Sequence, residues 1–126
     1  MKKYHDDILQ AARTNTNFRK VLATTEHAQL VVMSLKAGED IGEEVHTLDQ
    51  YLVFVEGRGI AILDGEKSEV MAGHCVVVPA GTKHNFINNG SIPVKLYTVY
   101  APAQHRDRTV HVTKADAEAD EKDHPA

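Results

Sequence analysis

Short apolar runs separated by turn-forming residues fill the middle of the chain, and this pattern restricts the fold more than any other feature. The runs are rich in β-branched and aromatic residues, which favour strands. The predicted strands span residues 29–36, 51–55, 60–63, 68–71, 75–78, 84–87 and 94–100. Asp64 and Gly65 predict a tight hairpin between two of these strands. Many short strands at regular spacing predict an all-β sandwich or barrel.

Four residues able to bind a metal lie in or near the loops between the predicted strands. Glu44 and His46 are two positions apart, so on an extended segment both side chains point to the same face. Gln50 follows after enough chain to turn back toward the same point, and His84 stands in a second stretch. Carboxylate and neutral imidazole together bind hard and borderline divalent metals. The alternative is that each is an ordinary structural or solvated residue.

Two stretches that contain these residues have regularly spaced glycines. In the first stretch, five residues separate Gly38 from Glu44, one separates Glu44 from His46, three separate His46 from Gln50 and six separate Gln50 from Gly57. The second stretch contains Gly73, Pro79, Gly81, His84 and Asn88. Together they resemble the two signature motifs of the cupin superfamily, over roughly residues 30–101. The resemblance implies a double-stranded β-helix, or jelly-roll barrel, with short helical or irregular extensions. Motif glycines are expected in turns that need positive φ.

The resemblance also implies a metal site, with two departures from the family pattern. Glu44 replaces the first motif histidine and Gln50 replaces the motif glutamate. The implied ligands are Glu44, His46, Gln50 and His84, and a weak carboxamide donor at Gln50 would leave two histidines and one carboxylate. That triad suits one divalent transition metal, with Fe or Mn favoured and Zn, Ni or Co as alternatives.

A chain of 126 residues has the size of one domain. We divide it into an N-terminal extension over 1–28, the barrel over 29–102 and an acidic, partly disordered C-terminal extension over 103–126. Residues 8–12 predict a short helix, and in this family N-terminal segments often pack across a partner subunit, which implies a homodimer. His105 and His111 either fold back over the barrel mouth or belong to an exposed linker.

Composition excludes several classes of function. The formal charge is −4 at pH 7, which disfavours a nucleic-acid surface, and no apolar run is long enough to span a membrane. No apolar stretch follows Lys2 and Lys3, so we expect no secretory signal. The single cysteine, Cys75, allows no internal disulfide and indicates the cytoplasm. Its valine neighbours predict that it is a buried apolar residue.

Three functions are compatible with this sequence. The first is a small-molecule metalloenzyme of dioxygenase type, with the substrate entering at open metal positions. The second is a sugar-phosphate isomerase or epimerase, because type I phosphomannose isomerases hold their metal with a similar ligand set. The third is a binding or sensor module without turnover. An acid or base lining the cavity would favour an enzyme, and Glu43, Asp49 and Tyr51 are the candidates nearest in sequence.

Overall fold

The computed structural model describes residues 3–120, which form two packed antiparallel sheets with a short helix near each end. The elements are α1 (Ile8–Thr14), β1 (Arg19–Thr24), β2 (Gln29–Leu35), β3 (Asp49–Glu56), β4 (Arg58–Leu63), β5 (Glu66–Met71), β6 (Cys75–Val78), β7 (His84–Ile87), β8 (Val94–Ala101), β9 (Val110–His111) and α2 (Lys114–Ala119). The larger sheet has the order β6-β3-β8-β2-β1-β9 and the smaller sheet the order β5-β4-β7. All seven predicted strands are present, so the predicted all-β barrel class is confirmed.

The hairpin at Asp64 and Gly65 and the turn at the motif glycine Gly57 have the backbone conformations that the sequence predicts. Asp64 and Gly65 have φ of 47° and 85° and join β4 to β5 as a two-residue hairpin. The motif residue Gly57 has a φ of 85°, and a Cβ atom there would lie 2.6 Å from the carbonyl oxygen of Pro93. Only glycine fits this turn, because it has both the backbone freedom and the missing side chain.

The core lies between the two sheets and is built from alternate residues of each strand. In β3 and β8 the inward side chains have even numbers, which places Leu52, Phe54, Leu96 and Thr98 inside. Phe86 of β7 faces them from the smaller sheet and is equally buried. The alternation along each strand thus separates the core face from the outer face.

The N-terminal segment contributes a strand that was not predicted. Strand β1 pairs with β2 on one side and with β9 on the other, so part of residues 1–28 belongs to the larger sheet. Its inward residues include Arg19, and a charged inward residue hides the alternation that marks a strand. Helix α1, which was predicted, packs Ala12 against Val32 and Val55 on the outer face of the same sheet.

The C-terminal segment folds back onto the barrel. Helix α2 begins with a capping box between Thr113 and Asp116, and Ala117 is buried in the core cluster. His105 and His111 are each only 3% exposed, which contradicts the exposed-linker alternative for both. The predicted disorder of the acidic tail falls on residues 121–126, which lie outside the described residues.

The prediction that Cys75 is buried is wrong. Cys75 is exposed, because it pairs with Val53 in the register of β3 and β6 and shares its outward orientation. The inward residues of β6 are Val76 and Val78, which pair with Leu52 and Gln50. A run of consecutive apolar residues has no alternation of apolar and polar positions, so the sequence could not show which residues of this edge strand face inward.

Candidate metal centre

The four predicted ligands lie in neighbouring parts of the fold. Glu44 and His84 form an isolated antiparallel bridge, with each backbone N–H donating to the other carbonyl at 2.9 Å. Residues directly opposite in such a bridge place their side chains on the same face. The bridge therefore fixes Glu44 beside His84, and His46 follows two positions after Glu44.

Glu44 and His46 are in direct contact. Oε2 of Glu44 lies 2.5 Å from Nε2 of His46, and the imidazole side chain is 9% exposed while the carboxylate side chain is 29% exposed. The rings of His46 and His84 meet edge to face, with centroids 4.9 Å apart. Three of the predicted ligands thus share one side of the barrel interior.

His84 is held in the orientation and protonation state of a metal ligand. Its Nδ1 lies 2.8 Å from the carbonyl oxygen of Thr82, and because a carbonyl can only accept, Nδ1 carries the proton. The Nε2 atom is then the acceptor of the ring. Burial is the largest cause that lowers the pKa of His84 below its usual 6.5, which keeps the imidazole neutral near pH 7. Backbone hydrogen bonding of this kind orients many metal-binding histidines.

Gln50 directs its carbonyl oxygen into the interior. Thr98 Oγ1 donates to the carbonyl oxygen of Tyr51 at 2.9 Å, so it must accept from Gln50 Nε2, which lies at 3.1 Å. This assigns the two ends of the amide. Within the described part of the chain, Gln50 Oε1 is then buried without a hydrogen-bond partner, and the same is true of His46 Nδ1. Buried polar atoms are rarely left unsatisfied, so a partner for Gln50 Oε1 is expected.

The side chains at this site are of types that bind metals, but they are not already arranged around a common point. Within residues 3–120, no three His, Cys, Asp or Glu side chains converge closely enough to hold an ion as they stand. One reason is that the Glu44 carboxylate contacts His46 Nε2, the atom that an ion beside it would use. Gln50, a donor of a different kind, adds the oxygen with no partner. The carboxylate, the two imidazoles and the carboxamide are ligand types that suit a divalent metal.

The candidate acids and bases from the sequence lie elsewhere. Glu43 is exposed and pairs with Lys83 at 3.3 Å, and Asp49 accepts a hydrogen bond from the Ala80 backbone on the surface. Tyr51 is 49% exposed on the outer face of the larger sheet. Because all three candidates lie on the surface, the binding-module alternative gains support relative to acid–base catalysis.

Sequence reasoning missed two residues near the site. Tyr100 is 2% exposed, and its ring centroid lies 6.0 Å from that of His46 and 5.1 Å from that of His105. The even-numbered alternation of β8 could have found Tyr100, because it continues from Leu96 and Thr98. Arg19 lines a small cavity with Glu44, and no signal in the sequence marked it, since β1 was not predicted.

The fold and the motif residues place this chain in a known class. The chain belongs to the Cupin domain family Cupin_2, whose profile matches residues 31–100. Within residues 3–120, no helix combines the length and the apolar character needed to cross a bilayer.

The chain is similar to several other proteins over most of its length. The uncharacterized protein YrkC of Bacillus subtilis strain 168 is 46% identical over 127 residues, covering 95% of this chain and 68% of that protein. The uncharacterized protein L612 of Acanthamoeba polyphaga mimivirus is 37% identical over 116 residues, covering 88% of this chain and 72% of that protein. The crystal structure of BH2720 from Bacillus halodurans has a TM-score of 0.92 at 42% identity, covering 94% of this chain and 95% of that one.

Proposed function

We propose that this protein binds one divalent transition metal through Glu44, His46 and His84, with Gln50 as a fourth, weaker donor. The observation that carries the proposal is the buried Gln50 Oε1, which has no hydrogen-bond partner and belongs to one of the four motif positions. An added cation would satisfy this oxygen and would also offset the charge of the partly buried Glu44 carboxylate. Fe(II) or Mn(II) suits a set of two histidines and a carboxylate, and Zn, Ni or Co are the alternatives.

We further propose that the protein is a small-molecule metalloenzyme of dioxygenase type. A metal with two imidazole ligands and one carboxylate keeps open positions for a chelating substrate and for dioxygen. The bound metal would supply the redox chemistry, so the chain itself need not place a separate acid or base at the substrate. The buried residues around the site would then bind and orient the substrate and exclude water from it.

The exposed positions of Glu43, Asp49 and Tyr51 decide the order of the alternatives. An isomerase moves a proton between carbon atoms, and an epimerase removes one from a carbon atom and returns one to its other face. The acid and base candidates nearest in sequence to the ligands face solvent. A binding or sensor module needs no such group, so it is the second candidate function. In that case the metal and a small ligand would be held without turnover.

Elemental analysis of untagged protein tests the metal proposal. We expect close to one transition metal ion per chain in the wild type and loss of the metal in His46→Ala, His84→Ala and Glu44→Ala. The matched control is Glu43→Ala, which removes a neighbouring but exposed carboxylate and should keep the metal. A wild type that is empty and takes up no Fe, Mn or Zn would overturn the proposal.

Oxygen consumption separates the enzyme from the binding module. Fe(II)-loaded wild type would be mixed with small keto and enol acids in an oxygen electrode. Oxygen uptake that requires both the acid and His84 supports dioxygenase chemistry. Binding of an acid without oxygen uptake supports the binding module instead.

We also propose that the protein forms a homodimer in the cytoplasm. Tyr51 and Val77 are paired across β3 and β6 and expose 49% and 46% of their surface on the outer face of the larger sheet. A second copy covering this face would bury both residues. Sedimentation velocity of the wild type should give a dimer, and Tyr51→Lys should give a monomer. A monomeric wild type would contradict this.

A further inference from the structure

Arg19 is a buried cation on the inner face of the larger sheet. It pairs with Met33 of β2 and with His111 of β9, and it is only 4% exposed. Its guanidinium carbon lies 5.2 Å from the centroid of the Phe18 ring. The next residue, Lys20, is exposed on the opposite face of the same strand. The sequence placed no functional residue in this segment.

The hydrogen bonds of Arg19 leave part of its guanidinium unused. One terminal nitrogen, NH1, lies 3.2 Å from His111 Nδ1, and because guanidinium can only donate, this Nδ1 accepts. His111 therefore carries its proton on Nε2, which lies 3.1 Å from Asp120 Oδ2. Arg19 Nε is buried and has no hydrogen-bond partner among residues 3–120. Across residues 3–120, no carboxylate oxygen lies within ion-pair distance of the Arg19 guanidinium.

Burying the Arg19 guanidinium costs free energy unless an anion pairs with it. Arginine keeps its charge in proteins, and a buried charge is normally paired with an opposite one. A neutral imidazole supplies one acceptor but no negative charge. The Nε–H of Arg19 needs an acceptor as well, and a planar carboxylate can take Nε–H together with a terminal N–H. An anionic ligand with this geometry would satisfy both requirements.

The space for such a ligand lies between Arg19 and the candidate metal centre. A cavity of about 80 Å³ is lined by Arg19, Ile41, Glu44, Lys114, Ala117 and Glu118. Since a water molecule occupies about 30 Å³ of liquid, the cavity holds a carboxylate-sized group and not a large ligand. Lys114 already pairs with Asp40 and with Glu118. Among residues 3–120, Arg19 is thus the cation of this cavity wall with no carboxylate partner.

We propose that Arg19 binds the carboxylate of a small organic acid whose other end lies at the Glu44 side of the cavity, beside the candidate metal centre. The proposal rests on the proposed function for the role of that other end, whereas the Arg19 contact itself needs no metal. A carboxylate fits better than a phosphate, because Glu44 and Glu118 also line the cavity and repel a second negative charge more strongly. The substrate class is therefore a small keto or hydroxy acid.

The first test compares pyruvate with pyruvamide, which has nearly the same shape but no charge. In calorimetric titrations of the wild type, pyruvate should bind and pyruvamide should not. Arg19→Met should weaken pyruvate binding by about 10- to 100-fold, the value of a hydrogen bond to a charged group. Lys20→Met is the matched control, because it removes the neighbouring charge from the outer face and should bind as the wild type does.

A second measurement needs no variant and so holds if Arg19→Met fails to fold. The Nε–H signal of Arg19 in a ¹H–¹⁵N spectrum should shift on addition of pyruvate and stay in place with pyruvamide. If it does not move with pyruvate, acetate or 2-oxoglutarate, or if Arg19→Met binds pyruvate like the wild type, the proposal is overturned. The same titration of metal-free protein separates the two proposals. If the Arg19 signal shifts with pyruvate but the protein takes up no metal in elemental analysis, the Arg19 proposal stands and the metal proposal is overturned. If the protein takes up metal but the Arg19 signal does not shift, the metal proposal stands and the Arg19 proposal is overturned.

Discussion

The two halves of the barrel interior differ in chemistry although the same strands build both. In β3 the inward side chains Leu52 and Phe54 are apolar, and Gln50 on the same face is polar. In β7, Phe86 lies in the apolar half and His84 in the polar half. The ring pair Phe54–Phe86 has centroids 5.8 Å apart, and its counterpart His46–His84 has centroids 4.9 Å apart.

The apolar half stabilises the fold, whereas the polar half contains buried groups that have no hydrogen-bond partner among the described residues 3–120. Phe54, Phe86 and Leu96 bury their whole side chains against one another and gain free energy from burial. The polar half instead buries Gln50 Oε1 and His46 Nδ1 without partners, which costs free energy. Unsatisfied groups of this kind are retained where a ligand completes them. The predictions below test this contrast.

The largest effect is expected in the apolar half. Phe86→Ala removes a fully buried ring and should lower the free energy of unfolding by about 3–5 kcal/mol. Urea denaturation followed by circular dichroism measures the loss. Val112→Ala, at a position that is 60% exposed, should change the stability by less than about 0.5 kcal/mol. Equal losses in the two variants would show that the apolar half does not dominate stability.

The next effect concerns the polar half and depends on metal. A free metal concentration of 100 times Kd should stabilise the wild type by about 2.7 kcal/mol, because the ion binds only the folded state. His84→Ala should gain almost nothing from the same addition, since it lacks one of the proposed ligands. Thermal denaturation with and without Mn²⁺ measures both. The account is wrong if the two proteins gain equally.

The variant Gln50→Met tests whether Gln50 is a metal ligand or a residue that the fold needs. In metal-free protein, Gln50→Met removes an unsatisfied buried oxygen and should leave the stability unchanged or raise it by about 1 kcal/mol. Thr98 keeps its hydrogen bond to the Tyr51 carbonyl, so no new unsatisfied group arises. The same variant should bind metal more weakly. A clear destabilisation in urea would mean that Gln50 serves the fold.

The smallest effect concerns the contact between Lys114 of α2 and Asp40. The hydrogen bond from Lys114 is the largest cause that lowers the pKa of Asp40 below 3.8, and the bond from Asn85 adds to it. A lowered carboxyl pKa contributes stability above the unfolded value, and this contribution is lost as the pH falls through the folded pKa. Lys114→Gln should move the pKa of Asp40 upward in a carbon-detected NMR titration. An unchanged pKa would show that α2 is not held by this contact.

Much of the fold could be predicted because strand alternation and turn chemistry are local properties. The hairpin at Asp64 and Gly65 and the even-numbered inward positions of β3 and β8 follow from the chain alone. Strand β1 could not be found, because its inward Arg19 interrupts the apolar alternation. The outward position of Cys75 depends on its register with Val53, which lies far away in sequence. Pairing between distant strands is not encoded in a local pattern.

The candidate site was predicted only in part. The motif spacing located Glu44, His46, Gln50 and His84, and the fold places them on neighbouring elements. The spacing could not reveal that Glu44 contacts His46 directly or that Gln50 leaves one oxygen without a partner. Both depend on side-chain packing between separate strands. Arg19, which lies near the site, was missed because β1 was not predicted, whereas the alternation along β8 could have located Tyr100.

The most direct test of the central claim is a crystal structure of the protein soaked in Mn²⁺, with data collected to locate the anomalous scattering of the metal. The account predicts one strong anomalous peak inside the polar half, within bonding distance of donor atoms of His46, His84 and Glu44. Gln50 Oε1 should face the same peak. An empty polar half at saturating Mn²⁺, or a peak bound only to surface carboxylates such as Glu43 and Asp49, would contradict it.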